Sequence, residues 1–177
     1  MEVNERIVEE YLKTIKGWFC MTDIPFEVPS NYSNIDILAY DPNDNKYYDI
    51  EDKFRSVYQI SKNDFEKEDG EFHRFLFQFS RTEREQTIEK IIGKRKVTKV
   101  FVTTRRLFGK NDTIKNEFIN RLVQKGYDAE VWFFDDIIPC LYNQINIKGR
   151  YNSELNQTLR LMKTYLPNET NNHAENE

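Results

Sequence analysis

Apolar residues recur at helical spacing through Val3, Ile7, Val8, Tyr11, Leu12 and Ile15, and Gly17 follows. That pattern predicts an opening amphipathic helix over residues 2–16 that stops at the glycine. The next stretch, WFCMTDIPFEV, is aromatic and β-prone, and Pro25 inside it predicts a strand with an irregular edge. Apolar and polar positions then alternate in NIDILAYD and again in YYDIEDKF, with the turn-rich PNDNK between them. A hairpin over residues 34–54 is the expectation. SKNDFEKEDGE reads as a surface loop with room for a short helical turn, and FHRFLFQF fits a strand or a helix, because its period does not decide. Ser80 and Glu83 have the spacing of a capping box, which predicts a helix running to Ile92 and closed by Gly93.

The C-terminal half alternates more regularly. KVTKVFVTT is a β-branched strand, and NDTIKNEFINRLVQKG is a helix with Asn111 or Asp112 as its cap and Gly126 as its stop. YDAEVWFF is a further strand, and DDIIPCLYNQI a short helix with Pro139 in or near its first turn. Leu155, Leu159, Met162 and Leu166 mark a last helix over residues 151–166. From Pro167 onward there are no core residues, so residues 1–166 are expected to form one domain and residues 167–177 a disordered tail. The order is helix, three antiparallel strands, helix, strand, helix, strand, helix. Strands that alternate with helices imply parallel crossovers, hence an α/β protein with a mixed central sheet flanked by helices.

Composition narrows the function classes. The chain has 177 residues, 38% hydrophobic, 14% aromatic and 32% charged, with a formal net charge of -4. Such a balance excludes a general basic coat for nucleic acid, so any polyanion contact must come from a local patch. Cys20 and Cys140 are far apart, and His73 and His173 are the only histidines. A disulfide framework, a zinc site or a histidine-built metal site is therefore not expected. No apolar run approaches the roughly 20 residues of a membrane span. The acidic start MEVNERIVEEYL has no signal-peptide core, and a cytoplasmic protein without a membrane partner is expected.

The candidate chemistry lies in the hairpin. Alternation puts Asp49, Glu51 and Lys53 on one face of their strand, and Tyr48, Ile50, Asp52 and Phe54 on the other. The hairpin can bring Asp36 of the preceding strand close to Glu51. Two nearby carboxylates resist joint ionisation unless a cation lies between them. Hard oxygen ligands of this kind suit Mg²⁺ or Mn²⁺, which acidify bound water and neutralise phosphate charge. Lys53 is placed to orient that water or to stabilise charge developing on phosphorus. Together these are the parts for hydrolysing a phosphodiester. The competing account is a solvated charged face on an exposed hairpin. Against it, Asp36 lies in IDILA, the most apolar short segment of the region, where an unpartnered carboxylate would be costly.

An Asp in one strand followed by Glu-x-Lys in the next, here Asp36 and Glu51-Asp52-Lys53, resembles the PD-(D/E)xK nuclease superfamily. NERIVEEYLKTIKGW is similar to the first helix of its Holliday-junction-resolvase-like members, with Glu5, Val8, Tyr11 and Leu12 at the matching spacing. The resemblance covers most of residues 1–140. It implies a restriction-endonuclease-like αβββαβ core and a nuclease that uses Mg²⁺ or Mn²⁺. Asp36, Glu51 and Lys53 would be catalytic, and Glu5 and the backbone carbonyl of Asp52 would be further metal ligands, with Glu9 as the alternate to Glu5. Ile35 stands where many members have proline. Asp52 stands where members have an apolar residue, which predicts a partly open back face or a shifted strand.

A second feature is a run without acids from Lys90 to Lys110, which includes Lys94, Arg95, Lys96, Arg105 and Arg106. These residues, with Arg55, are the candidates for phosphate contact; the alternative is a solubilising face beside a buried strand. Gln78 and Gln86 are read as solvated and His73 as a surface or packing residue. DNA is the expected partner, with RNA and a second copy of the chain left open. The alternative function is a nuclease-fold module that binds nucleic acid or a protein without cutting.

Overall fold

The computed structural model describes residues 2–28, 31–55, 59–67, 70–110, 112–150 and 153–166. The expected tail and the cap candidate Asn111 lie outside the described residues. Helix α1 (Val3–Tyr11) continues as a π-helical turn, Leu12–Lys16, and Gly17 ends it with a left-handed φ of 70°. Among the described residues five strands follow in one sheet: β1 (Phe19–Val28), β2 (Asn31–Asp41), β3 (Lys46–Asp52), β4 (Val97–Thr103) and β5 (Asp128–Phe133). Their spatial order equals their chain order. The pairs β1–β2 and β2–β3 are antiparallel, whereas β3–β4 and β4–β5 are parallel. Pro25 sits in register opposite Asn34, and β1 runs through it unbroken. An edge strand tolerates the missing N–H.

Helices α2 (Glu71–Phe79) and α3 (Thr82–Ile92) carry the crossover from β3 to β4. The short α4 (Arg105–Phe108) and α5 (Thr113–Gln124) carry the one from β4 to β5, and α6 (Phe134–Gln144) and α7 (Glu154–Tyr165) close the chain. Each face of the sheet buries its own core. On one, Val8 and Leu12 of the first helix pack with Ile37, Ala39, Ile50, Val100, Val102 and the apolar side of α6. On the other, Phe72, Phe75 and Phe79 of α2 meet Phe101 of β4 and Phe118 of α5. The Phe75 and Phe101 rings lie 4.4 Å apart. Odd and even positions of β3 and β4 thus serve opposite layers, as strand alternation requires.

One open alternative is settled and two expectations change. FHRFLFQF is helical, with Phe72, Phe75, Leu76 and Phe79 buried at helical spacing. Ser80 does not open α3; it ends α2, its N–H donating to the Leu76 carbonyl, and Arg81 is the N-terminal cap of α3. Pro139 lies inside α6, past the first turn, because the helix begins directly at the end of β5.

Candidate active site

Asp36, Glu51 and Lys53 come together at the C-terminal end of β3. The β2–β3 ladder stops at Ile37 opposite Ile50, so the next pair would be Asp36 with Glu51. The Asp36 carboxylate accepts the Asp52 backbone N–H at 2.9 Å, which ties the two strand ends together. Lys53 Nζ lies 3.2 Å from Glu51 Oε1 and 3.7 Å from Asp36 Oδ2. Asp36 and Glu51 are buried, while the Lys53 side chain keeps 35% of its surface exposed and is the member facing solvent. Burial and then the charge of Glu51 push the Asp36 carboxyl up to about 7, against Lys53 and the Asp52 N–H, which pull it down. Burial lowers the Lys53 ammonium, but Glu51 and Asp36 outweigh it and hold the group above its ordinary value.

Beneath this trio lies a cluster the sequence did not reveal. Arg84 of α3 is fully buried and grips Asp49 with Nε at 3.1 Å and Nη2 at 2.6 Å. Its Nη1 donates to Glu51 Oε2 at 2.7 Å. Lys99, opposite Asp49 in the parallel ladder, reaches Asp49 Oδ2 at 2.8 Å. Burial would raise the Asp49 carboxyl, yet Arg84 and Lys99 more than reverse that and hold it below its ordinary value. The carboxylates Asp36, Asp49 and Glu51 thus face an equal number of cations, Lys53, Arg84 and Lys99.

Asp52 takes the opposite face, but that face is closed. The residue is 1% exposed, and Asn4 of α1 donates to its Oδ1 while Oδ2 has no partner among the described residues. The open back face expected for this position is therefore absent, because α1 covers it. Only the backbone of Asp52 can belong with Asp36 and Glu51. Burial, opposed by the Asn4 hydrogen bond and helped by the charge of Glu5, raises the Asp52 carboxyl to about 7. Such an acid stays protonated in the folded chain while the unfolded chain ionises above about pH 4. It therefore withdraws stability as pH rises from about 4 to 7, and the full penalty stands above that range. Asp52→Asn removes this penalty. The variant is expected to gain about 1–3 kcal/mol over wild type at pH 8 and little at pH 4, read by urea denaturation at both pH values. Equal differences at the two pH values would show that Asp52 is ionised in the folded chain.

Glu5 accepts the Glu2 backbone N–H at 2.9 Å in a capping box at the start of α1. Among the described residues it makes no hydrogen bond or ion pair with Asp36, Glu51 or Lys53; its charge acts on Asp52. Glu9, its alternate, pairs with Lys13 at 2.5 Å. Among the described residues no group of three or more His, Cys, Asp or Glu side chains is placed to hold a metal ion. Asp36 and Glu51 nevertheless fit Mg²⁺ or Mn²⁺ in kind and number. Mg²⁺ is commonly held by one or two carboxylates plus water and substrate oxygens, and a bound cation would offset the burial and the Glu51 charge that raise the Asp36 carboxyl.

The basic run does not form one patch. Lys94, Arg95 and Lys96 precede β4, whereas Arg105 and Arg106 follow it, so the length of β4 separates them along the sheet. Lys94 lies 3.9 Å from Glu89 and Lys96 3.0 Å from Asp128, and Arg95 packs on the Tyr47 ring. Lys99 is buried on Asp49. Arg105 is held by Asp136 at 2.7 Å, and Arg106 is exposed. Arg105, Arg106 and Arg55 share the strand ends where Lys53 lies. Lys53 N–H donates to the Val102 carbonyl, and the Thr104 hydroxyl donates to the Arg55 carbonyl at 2.5 Å. Gln86 is exposed, Gln78 is half-buried, and His73 packs beside Phe72.

No protein-family model matches the chain, and no curated protein matches it. Among solved structures it is similar to the crystal structure of AF1548, a protein of unknown function, at 18% identity and a TM-score of 0.33. That match covers 72% of this chain and 53% of the other, so the chain spans about half the length of that neighbour. A likeness this slight assigns no activity. Among the described residues no helix is long and apolar enough to cross a membrane.

Proposed function

We propose that the chain is a metal-dependent phosphodiesterase acting on DNA, with a restriction-endonuclease-like core. The observation that carries this reading is the convergence of Asp36 and Glu51 on Lys53, 3.7 Å and 3.2 Å from its Nζ, where β2 and β3 end. The strand directions, antiparallel through β3 and parallel beyond it, support the fold assignment. Asp36 and Glu51 would hold Mg²⁺ or Mn²⁺, which when bound acidifies water and neutralises phosphate charge. Lys53, the member of the trio that faces solvent, would place its ammonium against the charge that develops on the phosphate oxygens. Arg55, Arg105 and Arg106 lie at the same strand ends and are the candidates for flanking phosphates.

The test is metal titration followed by cleavage. Asp36→Ala and Glu51→Ala should each abolish Mn²⁺ binding by calorimetry, since each removes an anionic ligand from a sparse site. Wild type should cut DNA with Mg²⁺ or Mn²⁺ and not with EDTA, and a parallel RNA substrate separates the two nucleic acids. Unchanged Mn²⁺ affinity in both variants sinks the metal assignment.

One observation favours a second reading. The buried carboxylates are matched by cations without any metal. That balance suits a nuclease-fold module that binds nucleic acid or a protein and does not cut. Wild type that retains DNA but cuts linear, nicked, branched and single-stranded substrates with neither metal would put this reading first.

A further inference from the structure

We infer that Arg84 is a positioning residue for Glu51 and that Asp49 is its anchor. This deepens the proposed function, because it rests on Asp36, Glu51 and Lys53 forming one reacting centre. The two oxygens of Glu51 have different partners: Oε2 accepts from Arg84 Nη1 at 2.7 Å, and Oε1 faces Lys53 Nζ at 3.2 Å. Arg84 thus holds one oxygen back and leaves the other turned toward Lys53.

The guanidinium is itself fixed. Its Nε and Nη2 edge meets Asp49, and it lies 5.4 Å from the centre of the Phe79 ring. Asp49 is 0% exposed, so it touches no substrate and acts only through what it binds. Asp49 and Glu51 are two residues apart on one strand face, roughly 6.5–7 Å along the strand. A planar fork with five donors spans that interval and bonds both carboxylates, which a single ammonium cannot do. Lys99 on Asp49 Oδ2 at 2.8 Å completes the anchor. A buried ion cluster of this kind stabilises a fold less well than apolar packing of equal volume. Its geometry is better matched to holding Glu51 in one orientation.

The experiment uses the full chain with Arg84→Lys and Asp49→Asn. Arg84→Lys keeps the charge and removes the fork. Asp49→Asn keeps the arginine and weakens its anchor. Crystal structures of both variants report the place of Glu51, calorimetry reports Mn²⁺ affinity, and cleavage of labelled DNA reports kcat and KM. In Arg84→Lys, Glu51 should rotate out of contact with Lys53. Mn²⁺ affinity and kcat should each fall by about 10–100-fold, the usual scale for residues that orient a ligand. KM for DNA should not change. Asp49→Asn should show the same pattern at smaller size, and it decides the matter if Arg84→Lys does not fold. Glu51 unmoved in the crystal, together with wild-type Mn²⁺ affinity, overturns the proposal. Wild type that binds no Mn²⁺ and cuts nothing defeats the nuclease reading instead. The place of Glu51 in the variant crystals still decides the role of Arg84.

Discussion

Replacing Arg84 by methionine is expected to lower the free energy of unfolding by about 3–5 kcal/mol at neutral pH, the scale for removing one partner of a buried ion pair. Methionine retains most of the arginine's apolar stem, so the loss reports charge and hydrogen bonds more than a cavity. Asp49 would keep Lys99 at 2.8 Å but lose the guanidinium, and the Glu51 Oε2 would lose its donor. The sign of the pH dependence follows from Asp49. Burial pushes its carboxyl up, but Arg84 and Lys99 together hold it below the ordinary value. A carboxyl depressed in the folded state contributes stability above its unfolded value of about 4, and that contribution is lost as pH falls through the folded value. The gap between wild type and Arg84→Met should therefore narrow below about pH 4. Urea denaturation at neutral and acid pH measures it. A loss under about 1 kcal/mol at neutral pH, the scale of an exposed pair, would mean that water enters this cluster.

The hairpin was legible because its signals are local. Alternation in NIDILAYD and YYDIEDKF sets which side chains share a face, and PNDNK supplies the turn, so the meeting of Asp36 with Glu51 and Lys53 follows from register alone. Arg84 was not legible because its reason for burial is distant in sequence. A charged residue in a helix is ordinarily solvated, and only Asp49 and Glu51, 35 and 33 residues earlier, make its burial tolerable. Two traces of it were nevertheless present. Arg84 stands four residues before the buried Ile88, on the inward stripe of α3, and Lys99 is the one charged residue in β4.

Two other differences have equally physical origins. The period of FHRFLFQF was blurred by Phe77, an aromatic that the fold leaves 58% exposed on the solvent side of α2. The run from Lys90 to Lys110 is contiguous in sequence, but β4 crosses the middle of it and carries its halves to opposite ends of the sheet. Acids from α3, β5 and α6 then pair with Lys94, Lys96 and Arg105. Clustering along a chain becomes a surface patch only where the chain does not traverse the core.

Lys53→Met separates chemistry from binding. The substitution retains the length and apolar stem of the lysine and removes its charge. In the folded chain Lys53 lies between Glu51 and Asp36, and both carboxylates raise its pKa, so it is a full cation at neutral pH. If that cation meets the charge developing on the phosphate, its loss should lower the cleavage rate by at least about 10²-fold, the scale for one lost transition-state contact. Mn²⁺ affinity should hold or rise, because the ammonium and the metal compete for the same two carboxylates. DNA affinity should change little, since one phosphate contact among several is removed. Asp36 supplies an internal control. With Lys53 gone, one of the forces that lower its carboxyl is gone, so its value should move above about 7, and Mn²⁺ binding should become more steeply pH-dependent near neutrality. A folded Lys53→Met chain that cuts DNA at the wild-type rate removes Lys53 from the reaction and leaves it as the counter-ion of a carboxylate pair.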